Sequence, residues 1–269
     1  MQLTDREFNW IVSYVHGKYG IDLSQKRVLI SGRLENYLLR NGYQSYSEYI
    51  AKIEQSPNGK EAVNMINVLT TNHTFFMREF IHFEYMQSPV LPWIKKQAES
   101  SKDVRIWSAA ASTGEEPYTI AMVLKDYFGL EKGWDTQVLA TDISTRVLQK
   151  AIEGRYLAEQ IAPLPDRWKR MHFDKITPEE FQIKKELRKE VSFRQFNLMD
   201  DIKFKGLFHL VFLRNVMIYF NEKTKNELLK RIYDHMEYGG YLFVGTTESI
   251  DKSATPFQYV QPSIYRKMR

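Results

Sequence analysis

The residue pattern predicts an α/β protein in which a parallel sheet follows a small all-helical unit. From Asp103 onward, short apolar runs alternate with helical patterns, the signature of strand–helix–strand units with right-handed crossovers. Three of those runs lead into a polar residue, Asp142, Asn197 or Asn215, as strands do where their ends build a ligand crevice. The first seventy residues carry helical spacing and helix caps but no strand signal.

Thr4 and Glu7 form a capping-box pattern ahead of Phe8, Ile11, Val12 and Val15 at helical spacing. A second helix is expected from about Ser24 to Arg40, stopped by Asn41-Gly42. A third opens with another capping box, Ser45 and Glu48, and a fourth follows Asn58-Gly59 with Val63, Ile66 and Val68. Residues 1–71 are thus expected to form a helical domain, and 72–269 a sheet domain. Within the latter, VRIWSA (104–109), TQVLATDIS (136–144), VSFRQFNLMD (191–200), HLVFLRNV (209–216) and GGYLFVGT (239–246) read as buried strands. A helix carrying Ile120, Ala121, Val123 and Leu124 follows the first, and another runs from about Glu222 to Met236. FQYVQPSIYRKM closes the chain as a hairpin, and between Gly154 and Glu190 an inserted turn plus a short hairpin is expected.

Composition narrows the chemistry. Cysteine is absent, which excludes disulfides, thiolate metal sites and cysteine nucleophiles. The six histidines show no i,i+4 pair, so no metal site is expected. A net charge of +5 permits an acidic partner but is too small to imply nucleic acid. The longest apolar run, HLVFLRNVMIYF, is interrupted by Arg214 and Asn215, so no membrane insertion is expected. MQLTDREFNW lacks the basic-then-apolar pattern of a secretory leader, and a cytoplasmic location is expected.

WSAAASTGEEPYTIA (107–121) sits where a nucleotide-binding protein keeps a glycine-rich loop, yet it has one glycine and two glutamates. With Thr113 as cap and Pro117 in the first turn, it begins a helix. A pyrophosphate would be repelled there by Glu115 and Glu116, whereas a cationic ligand would not. The competing reading is that both glutamates only improve the helix dipole. Asp142, at a strand tip, suits a ribose diol or caps the next helix, a task Ser144 can also perform. Asn197 and Asn215 suit an adenine edge or an amino-acid group, or close turns. In TTNHTFFMRE (70–79), Asn72, Thr74 and Arg78 stand among apolar residues; Arg78 can hold a carboxylate or pair with Glu79 or Glu84. Lys26, Arg33 and Arg40 recur every seven residues as a basic stripe, either a solvated face or a dock for an acidic helix.

In this order and spacing, TTNHTFFMRE, WSAAASTGEEPYTIA, ATDIS, FNL and RNVMIYF closely resemble the chemotaxis receptor methyltransferases, the CheR family. The resemblance covers nearly the whole chain. It implies a class I (Rossmann-like) methyltransferase sheet, an all-helical N-terminal domain for receptor docking, and a small β-subdomain inserted at about 155–190. It implies S-adenosylmethionine as cofactor, S-adenosylhomocysteine as product, and methylation of glutamates on the cytoplasmic helices of a chemoreceptor by a monomeric enzyme. Cofactor contacts are implied at Asn72, Thr74, Arg78, Glu116, Asp142, Asn197, Leu198, Asn215 and Val216. Glu116 is expected near the methionine ammonium and Asp142 at the ribose, leaving Glu115 as a helix-end charge. Arg78 and Tyr219 are expected beside the methyl group, and Lys26, Arg33 and Arg40 on the receptor-docking helix.

This chemistry matches the absence of a metal site or an acid–base dyad. A glutamate with a pKa of about 4.3 is already an anion at neutral pH, so it needs no general base to attack a sulfonium methyl. Charge disappears in that step, so alignment in a water-poor pocket supplies most of the catalysis. Two rivals are a nicotinamide-dependent oxidoreductase, disfavoured by the missing G-x-G-x-x-G, and a non-catalytic S-adenosylmethionine-binding adaptor.

Overall fold

The computed structural model describes residues 1–251 and 253–268; Arg269, the end of the expected second domain, lies outside the described residues. Helix α1 (Asp5–Tyr19) begins at the expected capping box: Thr4 Oγ1 accepts from Glu7 N at 3.3 Å and Glu7 accepts from Thr4 N at 2.9 Å. Helix α2 (Arg27–Arg40) starts three residues later than the sequence pattern suggests. Helix α3 (Tyr46–Gln55) has half a box: Ser45 Oγ accepts from Glu48 N, while Glu48 reaches Gln44 N instead. Helix α4 (Lys60–Leu69) completes this unit, whose apolar stripes share one core around Ile11, Ile30, Leu34, Tyr49 and Met65.

An irregular linker leads to α5 (Ile81–Tyr85), a π turn at Met86–Val90, and α6 (Leu91–Gln97). Then β1 (Ile106–Ala109), α7 (Glu115–Phe128), β2 (Val138–Asp142) and α8 (Thr145–Glu153) alternate as expected. The insert is more than a turn and a hairpin. Strands β3 (Arg155–Leu157), β4 (Phe173–Lys175) and β5 (Glu180–Ile183) form an antiparallel sheet of order β3-β5-β4, with short helices α9 (Ala158–Ile161), α10 (Asp166–His172) and α11 (Lys185–Arg188). Trp168, Phe173 and Ile183 carry it into the main core, where its strands are too short and mixed to show a period in sequence.

Strands β6 (Val191–Gln195), β7 (Phe208–Leu213) and β8 (Met236–Val244) complete the parallel set, with a 3₁₀ turn at Met217–Tyr219 and helix α12 (Glu222–Asp234) between the last two. The closing hairpin, β9 (Gln258–Gln261) and β10 (Ile264–Arg266), adds antiparallel strands, giving the order β6-β2-β1-β7-β8-β10-β9. Chain order reverses between β1 and β7, which opens a crevice at their C-terminal ends. All six residues of β7 are buried, as a central strand covered on both faces requires.

The helical unit closes over this crevice. Asp22 N donates to Tyr219 O at 2.8 Å and Ile21 bridges Phe220. On the opposite side, Ser144 Oγ donates to Asn67 Oδ1 at 2.6 Å. Gly20 ends α1 at φ 70°, and a Cβ there would meet Met199 Sδ at 2.5 Å and Thr224 Cγ2 at 2.9 Å. Gly20→Ala therefore combines left-handed strain with overlap and should cost roughly 2 kcal/mol. Chemical denaturation reads this; an unchanged midpoint would mean that the two units do not meet so closely here.

Candidate functional site

The crevice is a cavity with roughly 990 Å³ of space free of protein atoms, its mouth included. Its floor is built by the residues that leave each strand: Ala110–Ser112 after β1, Asp142 and Ile143 at β2, Phe196–Leu198 after β6, and Arg214–Val216 after β7. Its cover is the linker residues Thr70–Phe75 and Arg78, with Tyr19 and Ile21 from the helical unit. All nine expected cofactor positions, Asn72, Thr74, Arg78, Glu116, Asp142, Asn197, Leu198, Asn215 and Val216, line this one cavity together with Tyr219.

The loop after β1 is curled by three left-handed residues, Ala110 (φ 64°), Ser112 (φ 50°) and Gly114 (φ 99°). Gly114, rather than Thr113, is the N-cap of α7; Thr113 Oγ1 donates instead to Glu115 at 2.7 Å. A Cβ on Gly114 would lie 2.9 Å from both Ala151 Cβ and the Tyr156 hydroxyl, so the glycine permits close packing against α8 and β3. The curl points Ser112 N at Asp142, whose carboxylate accepts from Ser112 N and Ser144 N at 2.9 Å each. An ionised carboxylate has about four acceptor positions, so two remain for a diol. Burial pushes the Asp142 pKa up, opposed by the backbone donors. Ser144 caps α8, which frees Asp142 from that task.

Glu115 stands in the first turn of α7, as expected of a helix-end charge, but is buried there, and desolvation raises its pKa. Glu116 accepts from Ser108 Oγ at 2.7 Å and from Arg214 Nη1 at 2.9 Å. Burial raises its pKa, and Arg214 opposes that shift. Arg214 also contacts Glu79 through Nε at 3.3 Å and Nη2 at 3.2 Å, and Nη2 donates to the Arg78 carbonyl. Glu79 is desolvated too, but Arg214, the Asn215 amide and Thr246 N outweigh that and hold its pKa below the usual carboxylate range. Of the two carboxylates that Arg214 pairs with, Glu116 is the one that lines the cavity.

The remaining positions divide. Arg78 donates to His73 O at 2.9 Å and lies over the Phe75 ring, with no pairing to Glu79 or Glu84 and with donors in reserve. The Asn197 side chain is spent on backbone, donating to Lys18 O at 2.8 Å and accepting from Met199 N at 3.1 Å, so its amide closes a turn. Phe196, Leu198 and Ile143 supply apolar walls around it for a flat base. Asn215 adopts φ 58°; its N donates to Glu248 Oε2 at 2.7 Å and its Nδ2 to Glu79 at 3.2 Å. Glu248 also accepts from Gly245 N and Ile218 N, joining the loops after β7 and β8. Of the basic stripe, Lys26 and Arg40 are exposed, but Arg33 turns inward onto backbone at the end of α4. Arg33 is thus half-buried between two exposed basic residues.

The CheR methyltransferase all-alpha domain matches residues 6–70, and the CheR methyltransferase SAM binding domain matches residues 72–266. The chemotaxis protein methyltransferase of Borreliella burgdorferi is 38% identical over 99% of this chain and 96% of its own length. Chemotaxis protein methyltransferase 1 of Pseudomonas aeruginosa is 34% identical over 99% of both. The Escherichia coli chemotaxis protein methyltransferase is 35% identical over 98% of this chain and 92% of its own.

Arg214→Met strands two half-buried carboxylates and should cost about 2–4 kcal/mol in denaturant unfolding at neutral pH. A cost below about 1 kcal/mol would show the cluster to be slack. His82, fully buried under Glu79, has its pKa lowered to about 4 by burial and by Arg214. The unfolded chain then binds this proton near pH 6.5 and the folded chain only near 4, so stability falls as pH drops through that window. His82→Gln should remove a slope of up to roughly 1.4 kcal/mol per pH unit there, measured by urea unfolding at several pH values; an unaltered slope would place the titration elsewhere.

Proposed function

The chain belongs to the CheR methyltransferase family, and from that premise we propose that it methylates glutamate side chains on the cytoplasmic helices of a chemoreceptor, giving γ-methyl esters. Its cofactor is S-adenosylmethionine. The observation that carries the reading is the convergence of Asn72, Thr74, Arg78, Glu116, Asp142, Asn197, Leu198, Asn215, Val216 and Tyr219 on one cavity from five separate parts of the chain.

The donor set fits the cofactor's parts. Glu116, in the cavity wall, receives the ammonium; Asp142, with acceptor capacity in reserve, receives the ribose diol. Phe196, Leu198 and Ile143 flank the base. When bound, S-adenosylmethionine supplies an electrophilic sulfonium methyl. No residue of the chain has to remove a proton, because the acceptor carboxylate arrives ionised. Arg78 and Tyr219, both in the cavity wall, orient that carboxylate, and the linker over the crevice excludes water from it. Arg78 is already shared with the His73 carbonyl, which tempers its grip and spares the nucleophile's reactivity. The helical unit, with exposed Lys26 and Arg40, approaches the acidic receptor helix, and the protein works in the cytoplasm as a monomer.

Transfer of labelled methyl from S-adenosylmethionine to receptor cytoplasmic domains, released again by alkali, is the decisive assay. Tyr219→Phe and Arg78→Ala should each lower the rate at saturating cofactor by about 10- to 100-fold, with S-adenosylhomocysteine affinity much less affected by Tyr219→Phe. Cofactor binding without any label transfer would instead favour a non-catalytic adaptor.

A further inference from the structure

We propose that Arg33 is a positioning residue for the cofactor wall rather than a receptor-docking residue. Its guanidinium donates through Nη1 to Leu69 O at 2.9 Å and Thr70 O at 3.0 Å, and through Nη2 to Thr71 Oγ1 at 3.0 Å. These acceptors lie at the C-terminus of α4, where the last carbonyls of a helix have no partners of their own and favour a cation. The residues that follow, Thr70 to Thr74, form one wall of the cavity.

That wall is irregular backbone with no sheet ladder to fix it. Side-chain donors hold it at successive points: Arg33 at residues 69–71, Ser112 Oγ on Asn72 O at 3.0 Å, and Arg78 Nη1 on His73 O at 2.9 Å. Asn72 and Thr74 sit between and just beyond these supports, so their placement depends on all three. Arg33 is the one support that comes from the helical unit, and it joins α2 to the cavity. Its planar fork meets the two carbonyls through Nη1 and the hydroxyl through Nη2 in a fixed geometry, whereas the ammonium of a lysine is a compact charge on a flexible stem. By contrast Lys26 and Arg40, one heptad away on either side, are exposed at the ends of the same helix.

The inference rests on the reading that Asn72 and Thr74 hold the cofactor. Arg33→Met should weaken S-adenosylhomocysteine binding about tenfold by calorimetry, with the KM for the receptor domain at saturating cofactor unchanged. Arg33→Lys should fall between, at roughly threefold. Wild-type cofactor affinity in both variants, or a raised receptor KM with cofactor affinity intact, overturns the proposal. If Arg33→Met does not fold, Arg33→Lys decides by the same criterion. Thr74→Ala separates the two levels: if it leaves cofactor affinity unchanged, the reading of the wall fails. If it weakens binding while Arg33→Met does not, only the role of Arg33 fails.

Discussion

A cation with almost no access to water, the Arg214 guanidinium at the tip of the central strand, sets the arrangement of the whole crevice. A charge buried this deeply is tolerable only when every face of it is answered. Here Glu116 answers from the first turn of α7, and Glu79 and the Arg78 carbonyl answer from the linker. The Phe83 ring also lies within cation–π distance. Three chain segments far apart in sequence are thereby held to one point. None of them can shift without exposing a carboxylate or orphaning the cation, so the linker stays over the strand tips.

The same cluster holds the backbone in conformations it would not choose. Met77 and Glu79 in the linker, Ala110 and Ser112 after β1, and Asn215 after β7 all have positive φ without being glycine. Each such residue costs on the order of 1 kcal/mol or more. They persist because a hydrogen bond fixes each segment: Glu248 grips Asn215 N, Asp142 grips Ser112 N, and Arg214 grips Arg78 O and Glu79. Strain gathered around one cavity and secured by buried carboxylates is what a preorganised site requires. In methyl transfer, where alignment supplies most of the acceleration, rigidity of this kind is itself catalytic.

How much of this could be read from sequence follows from the range of the forces involved. Local signals survived: the Thr4–Glu7 box, the alternation of strands and helices, and the polar residues at strand tips all report on neighbours a few positions away. Asp142, Asn197 and Asn215 were legible for the same reason, since strands of a parallel sheet bring their ends to one edge without further information, whereas the linker positions Asn72, Thr74 and Arg78 joined the set only through the family resemblance. Arg214 was visible only as a charge interrupting an apolar run, and Glu79 only as a partner for its neighbour. Their pairing joins residues 135 positions apart, and no local pattern encodes it. The one available signal was physical: a charge inside a fully buried strand must find a countercharge. The insert was under-read because its strands have three or four residues, too few for a period to emerge.

Arg33 carries the most general lesson about charge periodicity. A seven-residue repeat places Lys26, Arg33 and Arg40 on one side of α2, but it cannot say whether that side meets solvent or the end of another helix. The two ends of the stripe are exposed, while its centre faces the C-terminus of α4, where unpaired carbonyls attract a guanidinium more strongly than water-exposed acids would. Helix α2 is thus hydrogen-bonded to the segment that leads into the cavity wall. The two are joined by a short, charged contact rather than by a soft apolar one.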